Sequence, residues 1–293
     1  MRVYHIRMNM NIPHISGSRN QPSATPTLVL GATGKTGRRV AQRLNKLGTA
    51  IRPGSRFAEP RFDWEDRRTW ARALDGVGAM YISLPPDLAV PGAVDAVQSL
   101  AEQALERGVR RMVLLSGRGE EEALRVEQAL QDSGADWTIL RASWFAQNFS
   151  ESFLLDAILS GEVALPVGEV PEPFIDADDI ADAAVAALTD DKHIGQIYEV
   201  TGPRLLTFRE AIEEIAKASG RAIRFQQISP DQYANALKQH GVPGGFVSLL
   251  IYLFTDLMDE RNAHVTDGVQ RALGRQPNDF ADYARATSAT WNP

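Results

Sequence analysis

The chain has 293 residues, 44% of them hydrophobic and 23% charged, with no cysteine. That suits one large α/β domain or a core domain with a smaller lobe, and it excludes a disordered chain, a disulfide scaffold, a thiolate zinc site and a cysteine nucleophile. No apolar run approaches the roughly 18 residues of a membrane span, and 31 basic against 37 acidic residues, net −6, argue against direct nucleic-acid binding, so a cytoplasmic protein is expected.

Residues 1–26 carry Arg2, Arg7 and Arg19 and no acid. Pro13, Gly17, Pro22 and Pro26 interrupt the amphipathic helix that a transit peptide needs, so this segment reads as a disordered basic leader. Order is expected from Thr27. Thr27–Leu30 is a short apolar run that reads as a strand, Gly31-Ala-Thr-Gly34-Lys-Thr-Gly37 as a glycine turn, and Arg38–Leu47 as a helix with Val40, Leu44 and Leu47 on one face. Gly48 ends that helix, residues 50–52 form a second strand, and Pro53-Gly54 turns the chain out of it.

The alternation continues with a helix over 67–74, a buried strand over 77–84, a helix over 90–107 stopped by Gly108, and a strand over 111–116. A charged helix over 120–131 and a strand over 136–140 follow. Strands alternating with helices predict a doubly wound parallel sheet covered on both faces. Beyond residue 141 the pattern loosens: 149–159 reads as helical, 194–200 as extended, 208–219 as a helix after the capping candidate Thr207, and 246–258 as an apolar helix. The expected division is a core domain over 27–160, completed by about 174–200, and a smaller C-terminal lobe over 201–293 that covers the carboxyl ends of the strands.

Three glycines between a strand and a helix let the backbone turn tightly, approach a pyrophosphate and pack the helix on the sheet. Gly31, Gly34 and Gly37 follow that plan with GxxGxxG spacing, one residue longer than GxGxxG. The competing phosphate loop, suggested by Gly34-Lys35-Thr36, needs a glycine where Val29 stands. About 20 residues further on, a carboxylate would accept the hydroxyls of a free ribose and repel a 2′-phosphate. Here the chain reads Ile51-Arg52-Pro-Gly-Ser55-Arg56, with no acid. A guanidinium forks naturally onto phosphate, so the expected cofactor is NADP(H), with Arg56 and Ser55 as first contacts and Arg52 close behind.

These motifs, with Ser83-Leu-Pro-Pro86, Leu115-Ser116-Gly117, Thr138-Ile-Leu-Arg141, Trp144-Phe145 and Asn148-Phe149, resemble the NmrA-like atypical short-chain dehydrogenases/reductases over residues 27 to about 293. Pro173–Asp182 is similar to that family's segment returning to the core, and Tyr198–Gly202 to the strand before its C-terminal lobe. The resemblance implies a Rossmann fold with an NADP-binding domain and a substrate lobe. In it Gly31, Thr33, Gly34, Lys35 and Thr36 would hold the pyrophosphate, Arg56 the 2′-phosphate, and Asp63 would lie near the adenine. Leu84 and Pro85 would line the path to the nicotinamide, Ser116 would sit beside it, and Trp144 and Phe145 with Asn148 would bound the substrate pocket. Topology alone also places Pro85, Ser116 and Trp144 at strand ends, where ligands bind in open sheets.

Conventional members of the superfamily protonate the forming alkoxide with Tyr-x-x-x-Lys, and residues 119–130 contain neither Tyr nor Lys. No catalytic residue is therefore assigned, Ser116 being placed only near the nicotinamide. The expected function is reduction of a small, flat apolar electrophile (a quinone, iminium, azo compound or polycyclic carbonyl) by direct hydride transfer. The alternative is a non-catalytic NADP(H) sensor that binds a protein partner; a homodimer stays open, and no membrane partner is expected. The five histidines show no ligand spacing, so no metal is expected. Glu120–Glu122 read as support for a helix dipole, with Glu120 alternatively facing the nicotinamide, and Asp176, Asp178 and Asp179 as helix caps.

Overall fold

The structure is a computed structural model describing residues 25–292; the expected leader, apart from Thr25 and Pro26, lies outside the described residues. The first half alternates β1 Thr27–Leu30, α1 Lys35–Lys46, β2 Ile51–Gly54, α2 Trp70–Leu74, β3 Ala79–Ile82, α3 Ala93–Glu106, β4 Arg111–Gly117, α4 Glu121–Asp132 and β5 Asp136–Ala142. After it come α5 Leu155–Ser160, β6 Glu162–Leu165, α6 Ala177–Thr189, β7 Gln196–Val200, α7 Phe208–Ser219 and β8 Arg224–Gln227. The chain ends with α8 Pro230–Gln239, α9 Gly244–Thr255, α10 Gly268–Leu273 and α11 Phe280–Thr287. Among the described residues no helix is long and apolar enough to cross a membrane.

Six strands form a parallel sheet in the order β2-β1-β3-β4-β5-β7. Successive strand residues point to opposite faces. Leu28, Met80, Met112 and Ile139 accordingly pack against α2, α3 and α4, whereas Val29, Tyr81, Val113 and Leu140 meet α1 and α6. All of these side chains are fully buried, which is why the strands read as continuous apolar runs rather than alternating ones. Strand order reverses between β1 and β3, so a crevice opens at their carboxyl ends.

A second core joins Phe149, Ile158 and Val163 to Phe208, Phe254 and Trp291. Its centre is aromatic: the Phe208 ring meets Phe174 edge-on at 5.1 Å and Phe149 at 5.8 Å. The expected boundaries at 160 and 201 need correction, because the chain enters this lobe directly after β5, and β6 pairs in parallel with β8. Conversely, α10 leaves the lobe and packs Val269 and Ala272 on the α6 side of the sheet. The helix expected over 149–159 is also broken, into a 3-10 turn Ala146–Phe149 and α5. Phe149 and Ile158 would face opposite sides of one straight helix, and the break lets both enter the lobe core. Thr207 does cap α7, accepting the Glu210 N–H at 3.1 Å while the Glu210 carboxylate accepts the Thr207 N–H at 2.8 Å.

Candidate functional site

β1 runs into a turn in which Gly31 has φ +66°, a left-handed conformation that glycine adopts without steric cost. Its carbonyl accepts the Gly34 N–H at 2.8 Å. α1 begins at Lys35 rather than at the expected Arg38, so Lys35 and Thr36 belong to its first turn. The N-cap, Gly34, has no side chain to satisfy the free amides, and the first turn holds no acid, so the positive end of the helix dipole is uncompensated. Gly34, Lys35 and Thr36 line the crevice. This arrangement fits a dinucleotide pyrophosphate, which these residues would hold. Burial lowers the Lys35 pKa, with Glu151 acting against that shift and Arg38 adding to it.

Of the residues expected around the 2′-phosphate, Arg52 is half-buried and has one guanidinium nitrogen engaged elsewhere. Its guanidinium donates to the carbonyl oxygens of Ala73 and Asp75 at the end of α2, tying β2 to that helix. Ser55 and Arg56 stand in the turn after β2: the Ser55 hydroxyl accepts the Phe57 N–H at 3.3 Å, and Arg56 is exposed. Asp63 is held by Arg61, whose hydrogen bond is the main reason its carboxyl lies below the usual range. Trp70 Nε1 donates to the Asp63 carbonyl at 2.7 Å, so this residue braces the loop around the expected adenine position.

A cavity of about 400 Å³ opens at the carboxyl ends of β1, β3, β4 and β5. Gly31, Gly34, Lys35 and Thr36 form one end of it. Leu84, Pro85 and Ser116 line the middle, and Trp144, Phe145 and Asn148 the far side. Thr33, Gly37, Arg52, Ser55, Arg56 and Asp63 are not on its wall. α9 closes the lobe side with Phe246, Leu249, Leu250 and Leu253. Trp144 is braced by Phe208 at 5.3 Å, edge-on, and by Phe254 at 4.9 Å.

Ser116 reaches the wall, but its hydroxyl donates to Glu127 Oε1 at 2.6 Å, and Glu127 also accepts Arg141 Nε at 2.9 Å and Nη2 at 2.6 Å. It is part of a buried polar network beneath the cavity and not a free proton donor. Glu120 occupies the N-cap of α4 without capping it. Its side chain lies over Gly117, where an added Cβ would fall 2.0 Å from Oε1. It is 4% exposed, and among the described residues its Oε2 has no hydrogen-bond partner. Burial, reinforced by the charge of Asp87 and a side-chain hydrogen bond with it, and by the charge of Glu122, pushes its pKa up to about 9.

Sequence reasoning missed six polar wall residues, Asp87, Arg118, Ser143, Ser152, Glu172 and Asn262. Arg118 is buried and donates to the Asn262 carbonyl at 2.8 Å, while Asn262 Nδ2 donates back to the Arg118 carbonyl at 3.1 Å. Glu172 is buried and accepts the Trp144 N–H at 3.3 Å. Burial pushes its pKa up to about 7, against that hydrogen bond and the charge of Arg118. A carboxyl raised in the native state contributes its full stability below the ordinary value of 4.5 and loses it as pH rises toward 7. Above that the wild type bears a cost of about 3 kcal/mol, which Glu172→Gln removes while keeping an acceptor for Trp144. The variant should therefore melt higher than wild type at about pH 8 and gain much less at about pH 5; equal shifts at both would refute the assignment.

Residues 31–191 match a family model described as NAD(P)H-binding. The chain is 33% identical over 278 residues to prestalk A differentiation protein A of Dictyostelium discoideum, covering 89% of this chain and 91% of that one. It is 30% identical over 286 residues to an NAD(P)H azoreductase of Xenophilus azovorans, with coverages of 90% and 98%. Its fold is similar to that of a Citrobacter sp. triphenylmethane reductase, with a TM-score of 0.73 at 19% identity over 90% of this chain and 99% of that one. It is similar also to that of NmrA, a negative transcriptional regulator, with a TM-score of 0.66 at 16% identity over 89% and 95%.

Proposed function

The chain belongs to the NAD(P)H-binding family, and we propose that it is an NADPH-dependent reductase of a flat apolar electrophile: a quinone, iminium, azo compound or polycyclic carbonyl. One observation carries this reading. A single cavity runs from the uncapped N-terminus of α1 to an apolar wall made by Trp144, Phe145, Leu249 and Leu253. The relative named for azo reduction supports the same class.

The nicotinamide, when bound, supplies the hydride. Gly34, Lys35 and Thr36 would bind the pyrophosphate, and Arg56 with Ser55 would bind the 2′-phosphate. Leu84 and Pro85 shape the passage between the two ends. The braced Trp144 ring and the α9 leucines present an apolar face to the substrate and exclude water, which strengthens electrostatic interactions inside. Among the described residues no tyrosine lines this cavity, which supports hydride transfer without a Tyr-Lys dyad.

Oxidation of NADPH, followed by absorbance against a panel of quinones, azo dyes and cationic dyes, tests the reading, and turnover of at least one class is expected. Tight NADPH binding without any turnover would overturn it in favour of a sensor. Arg56→Ala should weaken NADPH binding by roughly 10- to 100-fold, as one charge-assisted contact of about 1.5–3 kcal/mol implies, and leave NADH binding unchanged. Equal wild-type affinities for NADH and NADPH would remove the basis for the 2′-phosphate assignment.

A further inference from the structure

We propose that Glu120 is the proton donor of this reduction, delivering its carboxyl proton to the oxygen or nitrogen of the electrophile as hydride arrives. The inference rests on the reductase reading. Its basis is a buried acid with one oxygen unpartnered, on the wall of the cavity, at the end of the central strand where ligands of open sheets lie. A carboxylate that deep, with the Asp87 carboxyl beside it rather than a cation, costs several kcal/mol, so the group is held neutral, as a donor must be. Gly117 makes room for it: any Cβ there would collide with Oε1.

The surroundings keep the proton in place. Asp87 faces Glu120 from the loop after β3, Glu122 from its own helix and Tyr252 from α9. Arg261 donates to the Gly119 carbonyl oxygen at 3.2 Å and is paired with Asp259, whose charge it meets at 2.7 Å. Arg118, two residues away in sequence, turns instead to Asn262, His264 and Glu199. The other buried acid of the wall, Glu172, already accepts the Trp144 N–H.

A quinone takes up one hydride and one proton to become the hydroquinone. The O–H bond of Glu120 breaks, an O–H bond forms on the substrate, and the carboxylate left behind is reprotonated from solvent past Asp87. A cationic triphenylmethane dye needs the hydride alone, because adding it to the carbocation gives a neutral product.

That difference supplies the test. In Glu120→Gln, kcat for menadione should fall relative to kcat for malachite green by about 100-fold or more, the usual contribution of general acid catalysis. Infrared difference spectra of the cofactor-free protein near pH 7 should show a neutral carboxyl stretch that the variant lacks. Asp87→Asn should move the alkaline limb of the menadione profile to lower pH, since removing that charge makes Glu120 more acidic. Equal losses with both probes, or the absence of a Glu120-dependent carboxyl band, would overturn the proposal. If the wild type turns over no member of the quinone, azo-dye and cationic-dye panel, the reductase reading fails and the donor role with it, while the band still reports Glu120 as a neutral acid.

Discussion

Replacing Gly37 with alanine is expected to weaken NADPH binding by about a hundredfold or more, equivalent to about 3 kcal/mol, and to lower the melting temperature of the whole chain. An added Cβ would lie 2.2 Å from the Gly31 carbonyl oxygen, 2.6 Å from its carbon and 3.1 Å from the Ala32 nitrogen. All three are backbone atoms, so no rotamer change relieves the clash. Either α1 lifts, pulling Val40, Ala41 and Leu44 out of the core, or the turn opens and the N-terminal amides no longer converge on one phosphate. Gly48 provides the control: it too has a left-handed backbone, but a Cβ there meets nothing within 4 Å. Gly48→Ala should therefore cost about 1–2 kcal/mol of stability through backbone strain and leave cofactor affinity as it was. Fluorescence titration beside calorimetry separates the two, and wild-type affinity in Gly37→Ala would show that the turn does not need the close approach.

The contrast between these two glycines also shows what the sequence makes legible. The turn after β1 is dictated by local backbone sterics, so three glycines between an apolar run and an amphipathic helix announce it. Arg52 and Arg56 carry the same chemistry four residues apart, and nothing local separates them. What does is the end of α2, more than twenty residues away, whose carbonyls take up Arg52. Glu120 begins an acidic run whose dipole role suits Glu121 and Glu122, both in the first turn of α4. Glu120 departs from that role because Gly117 leaves room above β4. Glu172 and Asn262 reach the wall from distant loops, and no periodicity marks them. Likewise the lobe boundary depends on which core Phe149 and Ile158 join, a tertiary choice that helical spacing does not encode.

Glu127 lay closer to being readable, since it shares the buried stripe of α4 with Ala123, Val126 and Leu130. An acid on such a stripe must have a partner. Here the partners are Ser116 and Arg141, which stand opposite each other across β4 and β5. Glu127→Ala is expected to cost about 3–5 kcal/mol in urea unfolding, because among the described residues it leaves the Arg141 charge at the sheet with only Glu199, at 3.4 Å, to compensate it. Glu127→Gln keeps the acceptor for Ser116 and should lose about 1–3 kcal/mol. A paired Glu127→Leu, Arg141→Leu variant should recover most of the loss if the uncompensated charge is its source, and little if the cavity left by the side chain dominates. The network also fixes Ser116 away from the substrate. In Glu127→Ala the freed hydroxyl can turn into the cavity, so KM for an apolar substrate should rise even where the residual fold is intact. A loss below about 1 kcal/mol with KM unchanged would mean that the three groups are held by the strands alone.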